Sequence, residues 1–478
     1  MAQPHILLVT FPAQGHINPA LQFAKRLVAI GAHVTFSTSN GAEKNMAKAG
    51  SYPPALSFSA FDDGTEHGFR PTDDIDHYMF LLKRCGSQSV AQLIVETAQS
   101  GRPFTCVVYS NLIPWVGKVA RDLHLPSILL WNQAATVFDL FYYYFKGYGE
   151  EISKNMGDES FSLKLPGLSV PFGSQDLPSF FDPANTHTFG MKLMKEQLEV
   201  LDQEACTTAT TTRPTVLVNT FDPLESEALK SVSRYEMVGV GPSIPSAFLD
   251  GKDPSDTSFG GDLFRASKDY RKWLDLQQES SVIYISFGSV SVLSGPEMEE
   301  MARALLDAGR PFLWVIRPVN AGSEESTEED KLSCREELEK QGMIVPWCSQ
   351  VEVLSHPSLG CFVTHCGWNS SLESMTSGVP VVAFPRWTDQ LTNAKMVEEV
   401  WKTGVRVTRR RRSTAAESIV AAEEIKRCLE VIMGDGERGE EMRRNAKKWK
   451  ELARQTSRED GSSYANLKAF VDKIAQAC

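Results

Sequence analysis

Two kinds of hydrophobic pattern alternate along the chain. Short, nearly continuous apolar runs occur at Ile6–Phe11, His33–Ser37, Thr105–Tyr109, Ser127–Trp131 and Val216–Asn219. They recur at Val282–Phe287, Phe312–Ile316, Cys361–Thr364, Val379–Phe384 and Val405–Val407. Such runs predict strands covered on both faces, as in a parallel sheet. Between them, apolar residues return at helical spacing. After Asn18-Pro19, a good N-cap and first-turn pair, Leu21, Phe23, Ala24, Leu27 and Val28 predict a helix that Gly31 ends. Further helices are predicted over Tyr78–Cys85, Pro114–Leu123, Glu297–Ala308, Trp368–Thr376 (closed by Gly378) and Leu391–Trp401, and the C-terminal stretch is helical and strongly charged. The fold class is therefore α/β, with doubly wound sheets in two halves. Gly239–Phe264, dense in Gly, Pro, Ser and Asp and without periodicity, separates them. Residues 146–190 read as long loops. The boundaries expected are 1–240, a linker at 241–264, and a second domain at 265–460, with 461–478 as a terminal helix.

Length supports this division, since 478 residues exceed what one ordinary core organises. A composition of 42% hydrophobic and 23% charged residues is that of a globular protein. The net charge of −11 argues against nucleic acid or an anionic membrane as a partner. The longest apolar stretch, Ala134–Phe145, is broken by Asp139, so no membrane span is expected. The first apolar run is too short for a signal peptide. Nine scattered cysteines without a CxxC pair read as reduced thiols, and their spacing fits no zinc site. A cytoplasmic monomer is expected.

In such sheets ligands bind beyond the carboxyl ends of the strands. In the second half that position holds His365, Gly367, Asn369 and Ser370 at a helix start, where free N–H groups and the helix dipole favour a phosphate. In the first half it holds Gly15 and His16. An imidazole with a pKa near ~6.5 suits removal of a hydroxyl proton. Neither half has GxGxxG, which disfavours a dehydrogenase. Asp74-Ile75-Asp76 matches the DxD pattern of some metal-dependent sugar transferases, but acids of a helix first turn are the preferred reading. Arg409-Arg410-Arg411-Arg412 and the acidic Ala321–Asp330 read as solvated loops. The aromatic cluster Phe138, Phe141, Tyr142, Tyr143, Tyr144, Phe145 and Tyr148 is either core or, in part, the wall of an apolar pocket.

The stretch Trp347 to Gln390, beginning with Trp and ending in Asp389-Gln390, resembles the signature box of plant family-1 UDP-sugar glycosyltransferases, at full length and without a gap. Phe11-Pro12-Ala13-Gln14-Gly15-His16-Ile17-Asn18-Pro19 is a second close match, and a weaker resemblance covers nearly the whole chain. It implies the GT-B fold, two Rossmann-like domains facing a cleft, with the final helix crossing back onto the first domain. It further implies that the second half binds UDP-glucose through Ser289, Trp347, Cys348, Gln350, His365, Gly367, Trp368, Asn369, Ser370, Glu373, Asp389 and Gln390. Trp347 would stack on uracil, Gln350 and Glu373 would hold ribose, and His365 with the helix start would hold the pyrophosphate. Asp389 and Gln390 would bind sugar hydroxyls, with Gln390 and Trp368 favouring glucose. Taken alone, Ser370-x-x-Glu373 reads as a capping box.

By the same resemblance His16 is the general base for inverting transfer, without a metal; UDP-glucose is a substrate and no cofactor is implied. The family's acid beside that base is replaced here by Ser110, followed by Asn111, neither of which carries a negative charge. Gly15, Trp131 and Phe141 are the acceptor-side candidates. The expected activity is glucosylation of a hydroxyl or carboxyl on a small apolar plant metabolite: a flavonoid or other phenolic, a terpenoid or steroid, or a hormone acid. The alternative is a UDP-sugar-binding relative weakened by loss of the acid.

Overall fold

The computed structural model describes residues 3–46, 52–66, 68–69, 73–185, 189–207, 213–261, 263, 269–317, 332–409 and 419–476. The chain divides into two compact units, Met1–Leu263 with Gln455–Cys478, and Phe264–Arg454. Each is built on an all-parallel sheet.

The first sheet comprises β1 (His5–Val9), β2 (His33–Ser37), β3 (Leu56–Phe58), β4 (Cys106–Ser110), β5 (Ser127–Trp131), β6 (Thr215–Val218) and β7 (Glu236–Gly239), in the order β3-β2-β1-β4-β5-β6-β7. The second comprises β8 (Val282–Ser286), β9 (Phe312–Val315), β10 (Met343–Val345), β11 (Leu359–Thr364), β12 (Val381–Ala383) and β13 (Gly404–Arg406), in the order β10-β9-β8-β11-β12-β13. In both orders the chain reverses direction of travel beside the first strand of the unit, at β1/β4 and β8/β11. That is the switch point where the crossovers diverge and leave room for a ligand. The expected strands are present within a residue or two. The three that periodicity missed, β3, β7 and β10, are edge strands too short to show a pattern.

Two expected helices have different bounds. The first begins at Gln14 rather than Asn18 and runs to Ala29. Ala13 is the extended N-cap without a side-chain cap, and Pro19 lies inside the helix. Gln14 anchors this earlier start: its amide donates to Asn18 Oδ1 and Gly261 O, and its Oε1 accepts from Leu263 N. His16 therefore sits in the first helical turn, not in a loop. The helix expected over Tyr78–Cys85 extends from Ile75 to Gln99. Asp74 is its N-cap, accepting from Asp76 N at 2.9 Å and His77 N at 3.2 Å, which gives the DxD triplet a structural task.

The glycine- and proline-rich segment after β7 lies along the first helix. Gln22 Nε2 donates to Ser258 O at 3.1 Å, and Lys25 pairs with Asp256 at 2.6 Å. A stretch without periodicity thus satisfies its backbone through side chains of a neighbouring helix, as packed irregular chain must. Ala321–Asp330 and Arg410–Arg412 lie outside the described residues. Arg409 donates to Pro385 O at 3.2 Å and stands over the Phe384 ring, so this member of the arginine run is engaged rather than merely solvated.

The helix Ser462–Gln476 places Leu467, Phe470, Val471 and Ile474 in the core of the first unit, with Ile6, Leu8, Phe23 and Leu217. Asn466 Nδ2 also donates to Gly239 O at 2.9 Å. Truncating a fully buried leucine there removes transfer energy and leaves a cavity. Leu467→Ala is expected to cost about 2–5 kcal/mol, read as a lower urea midpoint; an unchanged midpoint would mean that the helix is not part of this core.

Candidate functional site

In the second unit, β8 and β11 pair in parallel register with Ser286 opposite Thr364. Their continuations, Phe287-Gly288-Ser289 and His365-Cys366-Gly367, therefore leave the sheet side by side. Gly288 has a φ of +76°, and a Cβ there would lie 2.7 Å from His365 Cε1. At Gly367 a Cβ would lie 2.5 Å from His365 Nε2. The imidazole occupies a slot that only two glycines leave open. Cys366, at φ +61°, turns the chain into the helix Trp368–Ser377, with Gly367 as N-cap. The first-turn N–H groups of this helix and its dipole are an anion site.

His365 keeps partial exposure, yet its Nδ1 is enclosed and has no hydrogen-bond partner among the described residues. Burial, with Arg317 and Arg386 nearby, pulls its pKa down to about 4, so the ring is neutral at pH 7 and can donate one N–H. Arg317 is held by the carbonyls of Ser289 at 2.6 Å and Ser291 at 3.2 Å, and Arg386 by Glu297. These two arginines, invisible to motif reading, make the surroundings of His365 cationic.

Gln350 opens the short helix Gln350–Leu354 and gathers the polar residues beside it. Its Nε2 donates to Ser370 Oγ at 2.9 Å and to Glu373 Oε2, while its Oε1 accepts from Tyr284 OH at 3.2 Å. Glu373 is buried, at 6% exposure. The capping-box reading is corrected: Gly367 is the N-cap, so Ser370 and Glu373 stand inside the helix and both bond to Gln350 instead. Trp347 is half-exposed, whereas the Cys348 thiol is buried beside Tyr284 OH at 3.5 Å and pushed up to about 12 by burial. Only its backbone is available to a ligand.

Asp389 is the N-cap residue of the helix Gln390–Lys395. It accepts from Thr388 Oγ1 and from Asn393 Nδ2, each at 2.9 Å, and desolvation raises its pKa. Asn393 also donates to Cys366 O at 2.9 Å. It ties Asp389 to the His365 loop, a role that the i, i+4 spacing from Asp389 could have suggested. Gln390 Oε1 accepts from Arg386 N at 3.0 Å and Trp387 N at 3.2 Å, which fixes the orientation of its amide. Trp368 points inward, 3% exposed, with its ring centroid 6.0 Å from that of Trp401. Asn369 lies partly exposed in the first turn.

In the first unit, His16 packs edge-on to Phe11, with ring centroids 5.3 Å apart. The residue is partly exposed but its Nδ1 is enclosed without a hydrogen-bond partner among the described residues, and burial lowers its pKa to about 4. Gly15 precedes it in the same helical turn. Ser110 does not bond to the imidazole. Its Oγ accepts from Phe11 N at 2.9 Å and lies 3.4 Å from Thr10 Oγ1, joining the ends of β1 and β4. Asn111 Oδ1 accepts from Asn132 N at 3.2 Å, and its buried Nδ2 has no partner among the described residues. Of the acceptor-side aromatics, Trp131 is 1% exposed with its Nε1 donating to Ala134 O, and Phe141 is 4% exposed against Phe181. Both side chains are core, because these strand and helix positions face inward. Among the described residues no group of three or more His, Cys, Asp or Glu is placed to hold a metal, and no helix is long and apolar enough to cross a membrane.

Comparison with known proteins shows the family to which the chain belongs. A family model described as UDP-glucoronosyl and UDP-glucosyl transferase matches residues 261–433. The chain is 57% identical to the phloretin 4'-O-glucosyltransferase of Malus domestica, over 99% of this chain and 98% of that one. It belongs to the plant UDP-glucosyltransferases. It is also 56% identical to the crocetin glucosyltransferase of Gardenia jasminoides, over 98% and 97% of the two chains. The structure of Os79 from O. sativa in complex with UDP matches with a TM-score of 0.84 at 34% identity, covering 98% of this chain and 100% of that chain. The fold is thus GT-B, and the protein is a UDP-glucose-dependent hexosyltransferase that binds a nucleotide sugar and a small acceptor.

The slot around His365 gives this transferase a sharp test. Gly288→Ala forces a left-handed backbone onto a side chain and displaces the ring. Calorimetry is expected to show UDP binding weakened about tenfold or more, equivalent to about 1.4 kcal/mol, with the far-ultraviolet spectrum unchanged. Affinity within twofold of the parent would remove His365 from the nucleotide site.

Proposed function

We propose that the protein transfers glucose with inversion from UDP-glucose to a hydroxyl or carboxyl of a small, largely apolar plant metabolite, with His16 as general base for hydroxyl acceptors. The observation that carries this reading is the position of His16, in the first helical turn beyond the carboxyl end of β1, with an Nδ1 that has no hydrogen-bond partner among the described residues. The ring is uncharged at pH 7 and can accept a proton from a hydroxyl, although burial makes it a weaker base than a free imidazole. The acceptor oxygen attacks the anomeric carbon, the bond to UDP breaks, and the proton passes to His16. An α-linked donor gives a β-glucoside. Relatives named for phloretin, crocetin and anthocyanidin glucosides support an acceptor of this general kind.

The donor is assigned to the second unit. Trp347 stacks on uracil, Gln350 and Glu373 hold the ribose, and His365 with Ser289 and the Gly367–Ser370 turn hold the diphosphate. Asp389 and Gln390 meet the glucose hydroxyls. Departing UDP carries negative charge, which the helix start and the nearby Arg317 and Arg386 stabilise. The reaction on this reading needs no metal. Free thiols at Cys85, Cys106, Cys334, Cys348, Cys361, Cys366 and Cys428 suit the proposed cytoplasmic location.

Ser110 stands where the resembling family has an acid, but its hydroxyl is committed to Phe11 N. The base therefore works without a negative partner, and acidic acceptors gain most. His16→Ala is expected to lower kcat/KM for a hydroxyl acceptor by about 10²–10⁴, while leaving transfer to a carboxylate within a few-fold. A loss under threefold for the hydroxyl would place the base elsewhere. The pH profile follows from the sign of the shift. Because burial disfavours the charged ring, His16 stays active as pH falls through 6.5 and is lost only near its pKa of about 4. The acid limb of kcat/KM for the hydroxyl should accordingly lie well below 6.5; a limb at 6.5 would show an unburied base.

A further inference from the structure

The Gly288–Val292 loop, which leaves β8 beside His365, is not held in place by apolar packing. Val290 is 66% exposed and Val292 48% exposed, and Gly288 is a left-handed glycine with no side chain to anchor. A loop of this composition has little apolar contact to fix it. Yet it forms one wall of the His365 slot. Its position must come from polar bonds made by the segments on either side.

Both flanks supply them. Arg317, two residues beyond the end of β9, reaches the loop with two nitrogens: Nη1 donates to Ser289 O at 2.6 Å and Nη2 to Ser291 O at 3.2 Å. A guanidinium is a planar fork, so a grip on carbonyls two residues apart fixes the path of the chain between them. On the other flank the tie spans a strand. In the order β9-β8-β11-β12, the loops after β8 and β12 are separated by β11 and its His365 turn. The Trp387 indole Nε1 nevertheless donates to Ser291 Oγ at 3.2 Å. One residue earlier, Arg386 pairs with Glu297. The other oxygen of Glu297 accepts from Ser294 N at 3.0 Å and Ser294 Oγ at 2.9 Å, at the start of the Gly295–Ala308 helix.

Ser291 is thereby a junction, its carbonyl bonded to Arg317 and its hydroxyl to Trp387. Trp387 N donates in turn to Gln390 Oε1 at 3.2 Å, and Arg386 N donates to the same oxygen at 3.0 Å. With that oxygen committed, the amide NH2 is the end of Gln390 left for a sugar hydroxyl. A continuous set of bonds therefore runs from Ser289, at the proposed diphosphate end of the donor site, to Gln390, at the proposed glucose end. Misplacing groups of this kind by about 1 Å can cost about 10²-fold in rate.

We propose, resting on the donor assignment above, that Arg317 and Trp387 are positioning residues for UDP-glucose: Arg317 sets the Ser289 turn, and Trp387 couples that turn, through Ser291, to Gln390. Neither side chain needs to touch the donor for this. The charge of Arg317 and its grip on the loop are separable, because a lysine keeps the first and loses the second. The part played by Trp387 rests on one N–H, which a phenylalanine lacks.

The test measures binding of UDP, UDP-glucose and UDP-galactose to the full chain by calorimetry, without an acceptor. Arg317→Lys is expected to weaken UDP about tenfold. Affinity within about twofold of the parent would show that charge alone matters and overturn the role of Arg317. Trp387→Phe and Ser291→Ala are each expected to lower the preference for UDP-glucose over UDP-galactose about three- to tenfold. The double variant should lower it no further, since both changes break the same bond. A merely structural loss would reduce the number of binding sites and leave this ratio alone. A ratio within about twofold of the parent in Trp387→Phe, additive losses in the double variant, or a parent that binds both sugars equally overturns the coupling. Should Arg317→Lys fail to fold, the Trp387 and Ser291 variants decide. Gly288→Ala separates the positioning from the donor assignment. If it leaves UDP affinity unchanged, the loop is no part of the nucleotide site and both fail; if it weakens UDP while Arg317→Lys does not, only the positioning fails.

Discussion

Parallel pairing is the constraint on which both halves of this transferase depend. Every strand pair in the two sheets is parallel, from β1 beside β2 and β4 to β12 beside β13. All carboxyl ends in a sheet therefore share one edge, and every loop leaving that edge is brought near its neighbours. The register of β8 on β11 sets Gly288 against His365. The register of β1 on β4, reinforced by Ser110 Oγ accepting from Phe11 N, fixes the turn that leads to His16. Such sheets must be covered on both faces. That requirement explains the fully buried residues on the strands and the recruitment of Leu467 and Phe470 from the far end of the chain into the first core.

The two histidines show one physical effect used for two purposes. Each ring nitrogen Nδ1 is enclosed without a partner among the described residues, and burial brings each pKa to about 4. At pH 7 neither carries charge. On the proposed reading this leaves His16 able to accept a proton from a hydroxyl, and His365 able to offer a directed N–H, with positive charge left to Arg317, Arg386 and the helix start. Enclosing an imidazole that lacks a partner is costly, and such cost collects at sites where a ligand completes the bonding.

Much of this was legible in the chain. Continuous apolar runs marked the buried parallel strands, because a strand covered on both faces cannot alternate. The span from Trp347 to Gln390 marked the half proposed to bind the nucleotide, through its Gly, Asn and Ser at a strand-to-helix turn. Short edge strands such as Met343–Val345 escaped notice, having too few residues to show a period. The start of the first helix was misplaced because Asn18-Pro19 is a strong local signal, while the bonds that hold Gln14 come from Gly261 and Leu263, far away in sequence.

The amino-acid sequence by itself determined the α/β class, the two halves and the residue types gathered at the strand ends. These follow from local pattern and from chemistry confined to short segments. Only the tertiary structure decided how those residues are used. It turned Trp131 and Trp368 into core, gave Ser110 to a backbone N–H instead of an imidazole, and joined Gln350 to Ser370 and Glu373. Hydrogen-bond partners and burial depend on which distant segments meet, and sequence spacing carries no record of that.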